Sequence, residues 1–185
     1  MKFRSLGKTG LKVSELGFGC WAIGGDSYGT VKDEDSLEAL ETAWASGVNF
    51  YDTADTYGEG HSETLLGRFL KSKPRSQMII ASKVGWDFYP DSQKHPGAGQ
   101  GSSEKVNHVG HKKNFNPTYI RFACEQSLQR LKTEYIDLYQ LHNPSLEVLQ
   151  QGQAMEVFEK LKQEGKIRFI GVSVHTEAEA VALLK

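Results

Sequence analysis

Leu16-Gly17-Phe18-Gly19-Cys20-Trp21 is an apolar run that reads as a buried first strand, and the residues at its end separate two architectures. An open, doubly wound nucleotide-binding sheet places the glycine fingerprint G-x-G-x-x-G after its first strand. Gly17-Phe18-Gly19-Cys20-Trp21-Ala22 lacks the third glycine and carries no signal for a helix. Working outward, four more apolar runs read as strands: Val48 to Asp52, Met78 to Val84, Ile136 to His142 and Ile167 to Ser173. Segments of helical period separate them, from about Asp33 to Ser46, Glu63 to Lys71, Asn116-Pro117 onward, and Ala154 to Glu164. Thr176-Glu177-Ala178-Glu179 is a capping box that opens one more helix. Five strand–helix units in a row require a parallel sheet with right-handed crossovers. Polar residues gather at the C-terminal ends of these strands, where a barrel builds its active site. The expectation is an α/β chain of the TIM (β/α)8-barrel type, incomplete, with about five of eight units, as one domain over 1–185.

The helices carry their own support. Leu37, Leu40 and Trp44 form one buried stripe, and so do Ile120, Ala123, Ser127, Leu128 and Leu131. Proline suits the first position of the helix that Asn116-Pro117 opens. The exception is Trp86 to Phe115, the core of a long loop at 86–116 that is rich in Gly, Ser, His and Lys and has no apolar period. Its His95, His108 and His111 match no metal-ligand spacing, so the segment reads as a solvated loop without a metal site.

The chain has 185 residues, a net charge of -1, and 38% hydrophobic residues. That charge gives no basic excess for nucleic acid or anionic lipid. No apolar run approaches the ~20 residues needed to span a bilayer, and the N-terminus shows no secretory leader. Cys20 and Cys124 fit no metal pattern and suit a reducing compartment, so the expected location is the cytoplasm.

Asp52, Lys83 and His142 fall at the ends of the second, third and fourth strands, and Tyr57 follows on the loop after the second. In a parallel barrel these ends share one rim. Each residue also has a plain structural explanation: a loop aromatic, an ion pair, an imidazole bonded to a carbonyl. Four of them on one rim favour a site.

In order and spacing, six runs resemble the aldo-keto reductases. They are Leu6-Gly7-Lys8-Thr9-Gly10-Leu11-Lys12-Val13-Ser14, similar to a β-hairpin at the barrel bottom, and the first-strand run Leu16 to Trp21. Tyr51-Asp52-Thr53-Ala54-Asp55-Thr56-Tyr57-Gly58, followed by Ser62-Glu63 and Leu66-Gly67, is close to the family's most distinctive signature. Ser82-Lys83-Val84-Gly85, the run Tyr135 to Pro144 and the run Gly165 to Ser173 complete the set.

The resemblance implies an oxidoreductase that reduces aldehyde and ketone carbonyls with NADPH, or runs the reverse alcohol oxidation. It implies Tyr57 as proton donor, with Lys83 lowering its pKa toward neutrality, Asp52 keeping Lys83 charged, and His142 orienting the carbonyl. Gly19, Cys20, Trp21, Asp52 and Ser173 are the implied cofactor contacts. Val174 stands where family members usually carry Asn, and valine donates only its backbone. The implied partner is a small-molecule carbonyl substrate, with neither nucleic acid nor membrane. Leu183-Leu184-Lys185 ends inside an amphipathic helix, so a truncated reductase is expected, and its open sheet edges offer a route to self-association. The alternative is a non-catalytic fragment, or a regulatory binding protein like the potassium-channel β-subunits on the same scaffold.

Overall fold

The N-terminal strands Phe3–Ser5 (β1) and Lys12–Ser14 (β2) pair antiparallel, with Phe3 opposite Ser14. The computed structural model of the chain describes residues 1–25, 29–90, 95–98 and 110–183. Asn49 ties this hairpin to the body: its side chain accepts from the Ser14 amide at 2.7 Å and donates to the Lys12 carbonyl at 2.8 Å. Leu6 to Leu11 is thus the hairpin's turn, and the paired strands extend on both sides of it.

Phe18–Gly19 (β3) follows, then a single turn of helix, Trp21–Gly24 (α1), and the longer Asp33–Ala45 (α2). Asp33, Glu34 and Asp35 face the positive end of the α2 dipole, and Gly47, at φ +87°, turns the chain out of it. Phe50–Asp52 (β4) and His61–Leu70 (α3) come next, then Ile79–Val84 (β5), which is buried at every position. Short Trp86–Asp87 (β6) and Lys112–Lys113 (β7) pair with each other. Pro117–Leu131 (α4) starts from Asn116, whose side chain accepts the Thr118 amide, and leads into Ile136–His142 (β8). Leu146–Gln151 (α5), Gln153–Gln163 (α6), Ile167–Ser173 (β9) and Glu177–Leu183 (α7) complete the described chain.

The central sheet runs β3-β4-β5-β8-β9, parallel throughout, so spatial order follows chain order as in a β/α barrel. Its register sets Asp52 beside Ala81, Lys83 beside Gln140, and His142 beside Ser173. Helices α2, α3, α4 and α6 cover the outer face over a core that includes Leu40, Leu65, Leu66, Ile80, Ile120, Leu131, Tyr139, Phe158 and Leu161. β3 and β9 are the edges of this sheet.

The structure corrects several expectations. The run Leu16 to Trp21 is not a buried strand. Only Phe18 and Gly19 are extended, Leu16 is 66% exposed, and Trp21 opens a helical turn where none was expected. The strand lies at an edge, so its apolar residues lack a second neighbour. Of the α2 stripe, Leu40 is fully buried, whereas Leu37 and Trp44 are half-buried.

The segment at 86–116 is not a simple solvated loop in its described residues. The His95 side chain is only 5% exposed, bridges Asp87 at 3.2 Å, and stacks on Phe122. His108 lies outside the described residues.

Candidate active site

Asp52 ends β4, Lys83 lies near the end of β5, and His142 ends β8. Tyr57 is reached through a tight turn after β4. Gly58, Glu59 and Gly60 have φ of +58°, +53° and +90°, a left-handed path that costs a non-glycine residue. A Cβ at Gly58 would stand 2.3 Å from the Gly24 carbonyl oxygen, so only glycine lets the turn pack against α1. The Ser62 hydroxyl donates to the Cys20 carbonyl at 2.8 Å, and Thr53 and Ser62 join at 2.9 Å.

The four side chains meet. The Lys83 ammonium donates to Asp52 Oδ1, to the Thr53 carbonyl at 2.9 Å and to the Tyr57 hydroxyl at 3.2 Å. The Tyr57 and His142 rings stand edge to face at 5.9 Å, and Trp86 meets His142 the same way at 6.5 Å. Trp21, 41% exposed, stacks on Tyr57 at 6.0 Å. The result is a cationic nitrogen holding a phenol at the mouth of an aromatic-walled rim.

The electrostatics depart from expectation at one point. Burial raises the Tyr57 phenol above its usual value of 10.0; the charge and hydrogen bond of Lys83 oppose that rise, and the nearby Asp52 adds to it. Lys83 therefore acts in the expected direction, but desolvation outweighs it. Tyr57 keeps its proton at neutral pH, the form a proton donor needs. His142 is pushed down to about 3, by burial first and then by the charges of Lys83, Lys113 and His175. It is a neutral imidazole at neutral pH, and its buried Nδ1 has no hydrogen-bond partner among the described residues.

Cys20 sits beneath the rim. Its thiol is fully buried in the core and pushed upward by that burial. Its amide donates to the Asp52 carbonyl and its own carbonyl accepts from Ser62, so Cys20 joins the strand ends. Gly19 is exposed, with no atom within 4 Å of where a Cβ would stand. Ser173 donates its hydroxyl to the Asn143 side chain at 3.0 Å, and the Asn143 amide donates to the Ser173 carbonyl.

Asn143 and Lys113 were not singled out from the sequence. Lys113 donates to the Asn143 carbonyl and stands 4.9 Å from the Trp86 ring. Together with Phe115, Ser145 and His175 they line a cavity of about 420 Å³ beside β8 and β9. Asn143 at φ +55° carried one signal, its position directly after a strand-ending His. Lys113, in a segment without period, carried none.

No group of three or more His, Cys, Asp or Glu among the described residues is arranged to hold a metal, and no helix there is long and apolar enough to cross a membrane.

Comparison with known proteins gives a consistent result. The profile of the aldo/keto reductase family matches residues 15–185. A probable aldo-keto reductase of Glycine max is 36% identical over 91% of this chain and 43% of its own length. An NADH-specific methylglyoxal reductase of Escherichia coli is 35% identical over 94% of this chain and 52% of its own. The solved holo form of an aldo-keto reductase from Bacillus halodurans superposes with a TM-score of 0.80 at 35% identity, covering all of this chain and 54% of that one. The chain spans about half the length of these relatives.

Proposed function

The chain belongs to the aldo/keto reductase family, and we propose that it carries the catalytic centre of an enzyme that reduces aldehyde and ketone carbonyls with NADPH, or oxidises the alcohol in reverse. One observation carries this reading: the Tyr57 hydroxyl lies 3.2 Å from a Lys83 ammonium that also binds Asp52, with neutral His142 set edge-on to the same phenol.

In this reading the substrate oxygen sits between Tyr57 and His142. Tyr57 gives its proton to the oxygen as negative charge develops there, and the Lys83 ammonium stabilises the phenolate left behind. Asp52 holds the ammonium on the phenol side. His142, neutral, polarises the same oxygen without competing for the proton. Trp21 and Trp86 wall the rim and reduce water access.

The residues present suit a nicotinamide. Gly19 leaves room for a flat group, and Ser173 and Asp52 offer polar contacts on the same rim. When bound, the reduced nicotinamide supplies a hydride to the carbonyl carbon. NADPH is our proposal for this chain; the Escherichia coli relative is named for NADH, so both are tested. The proposed site of action is the cytoplasm.

The experiment is a titration of NADPH and of NADH into the protein, followed by nicotinamide fluorescence, together with carbonyl-dependent loss of absorbance. Saturable binding and turnover that Tyr57→Phe abolishes support the proposal. Full turnover in Tyr57→Phe refutes it. A non-catalytic scaffold, by contrast, has no need of this proton donor.

A further inference from the structure

We propose that Glu63 is a positioning residue for the Tyr57–Lys83 pair: its buried carboxylate ties the strand that carries Lys83 to the helix that continues from Tyr57. The inference rests on the proton-donor reading of Tyr57.

Glu63 is fully buried in the first turn of α3. One carboxylate oxygen accepts the Ser82 hydroxyl at 2.5 Å, and the other accepts Arg130 Nε at 2.8 Å. Ser82 and Lys83 are neighbours in β5, so their side chains leave opposite faces of the sheet. Fixing Ser82 from the helix side therefore fixes the point from which Lys83 reaches Tyr57. At its other end Glu63 belongs to the turn that presents Tyr57. The Ser62 amide donates to the Tyr57 carbonyl at 3.2 Å, and the His61 amide to the Gly58 carbonyl at 2.9 Å. A Cβ at Gly60 would stand 2.6 Å from Arg130 Cδ, so Arg130 presses on the same turn. Arg130 then donates to the Tyr89 hydroxyl at 2.9 Å and lies over Phe88, which extends the tie to the segment after β6.

The charge of Glu63 matters as well as its shape. Asp55, two residues before Tyr57, is fully buried, and its carboxyl has the Thr56 backbone but no side-chain hydrogen-bond partner among the described residues. Burial, and next the negative charge of Glu63, hold Asp55 well above the usual carboxylate range, with Arg130 opposing. Glu63 thus adds to the effect of burial on Asp55 and holds the Arg130 Nε itself. In Glu63→Gln that repulsion and the ion pair with Arg130 are both lost.

The test measures Ser82→Ala and Glu63→Gln in the full chain beside Tyr57→Phe, with 4-nitrobenzaldehyde and NADPH as probes. Four quantities are read: NADPH Kd, aldehyde KM, kcat per folded molecule, and the solvent deuterium isotope effect on kcat. Displacing a reacting group by about 1 Å costs up to roughly 100-fold. Both variants should therefore lose roughly 10- to 100-fold in kcat. Kd and KM should stay within about twofold, since neither residue lines the binding rim. The isotope effect should rise, because proton transfer from Tyr57 becomes limiting. A merely structural role would lower the melting temperature and leave the isotope effect and kcat unchanged, and that result overturns the proposal. If Glu63→Gln does not fold, Ser82→Ala decides alone, because it keeps the Glu63–Arg130 pair. Turnover surviving in Tyr57→Phe would instead overturn the underlying proton-donor reading. An inactive Tyr57→Phe beside normal Ser82→Ala and Glu63→Gln overturns only the positioning role.

Discussion

Lys83→Met keeps the length of the side chain and removes the ammonium. Three acceptors lose their donor: Asp52 Oδ1, the Thr53 carbonyl and the Tyr57 hydroxyl. Their costs differ. The Asp52 side chain is 38% exposed, so water replaces the lysine and the lost pair is worth about 1 kcal/mol or less. Thr53 is fully buried, and an orphaned buried carbonyl costs about 1–3 kcal/mol. Against this, the variant no longer desolvates an ammonium. The net destabilisation should be about 1–2 kcal/mol, well short of the ~3–5 kcal/mol lost when a fully buried pair is broken. Catalysis should suffer far more. Without the cation the phenolate left by proton transfer is unsupported, and loss of general-acid function costs about 10²–10⁴-fold. That is about 3–5 kcal/mol in the barrier. Urea titration gives the first quantity, and single-turnover NADPH oxidation, normalised to folded protein, gives the second. A variant destabilised by about 4 kcal/mol or more that retains its turnover would show that Lys83–Asp52 is a structural ion pair, and the argument would fail.

Three further outcomes are expected. His142 is held down to about 3, below its unfolded value of about 6.5, so between these values the unfolded chain binds the extra proton. Stability should fall as pH drops from about 6.5 toward about 3 and stay flat above that window; His142→Gln, compared by urea midpoints at pH 7, 5 and 4, should lose less than the parent. Gly58→Ala places a Cβ 2.3 Å from the Gly24 carbonyl at φ +58°, so it should cost at least about 1–3 kcal/mol and reduce turnover, read by melting and steady-state assay. Asp137→Ala removes a fully buried carboxylate that accepts from Arg75, Arg168 and the Ile80 amide. Arg168 is nearly half exposed, so the expected loss is near the lower end, about 3 kcal/mol in urea, with turnover per folded molecule unchanged.

What the sequence disclosed depended on how local each signal was. β9 and β8 were read with their observed bounds because each is an apolar run closed by a polar residue, with the core on both faces for most of β8. α4 was legible from Asn116-Pro117, a cap and a first-turn proline that act within three residues. The run Leu16 to Trp21 failed because an apolar stretch alone cannot separate a buried strand from a two-residue edge strand followed by a helical turn. α5 was missed: it has six residues, and its cap, Ser145 accepting the Val148 amide, lacks the acidic third position of a capping box. Among the described residues of 86–116, Tyr89 and His95 pack on Phe122 of α4, a contact that leaves no period in the sequence. Glu63 and Arg130 are 67 residues apart, and only the fold could pair them. The strand-end positions of Asp52, Lys83 and His142 were legible because strand ends are local; the surroundings of Cys20 were not, because its partners Asp52 and Ser62 lie on other elements.

Two polar clusters at opposite ends of the same sheet show how the rim differs from a structural ion-pair cluster. At the N-terminal end Asp137 is saturated: two guanidinium groups and one amide occupy its oxygens, and Arg75 also binds the Met78 and Tyr135 carbonyls. Nothing there is left to bind a substrate, and the cluster's consequence is stability. At the C-terminal end the pairing is incomplete. Lys83 is committed, but to a phenol that keeps its proton, and His142 is buried neutral with an unpartnered Nδ1. A fold tolerates such unmet polar capacity at a cost of roughly 1–3 kcal/mol per group. The saturated cluster would persist unchanged in a protein with no substrate. The unsaturated one is what the proposed reaction, with a carbonyl oxygen between Tyr57 and His142, would account for.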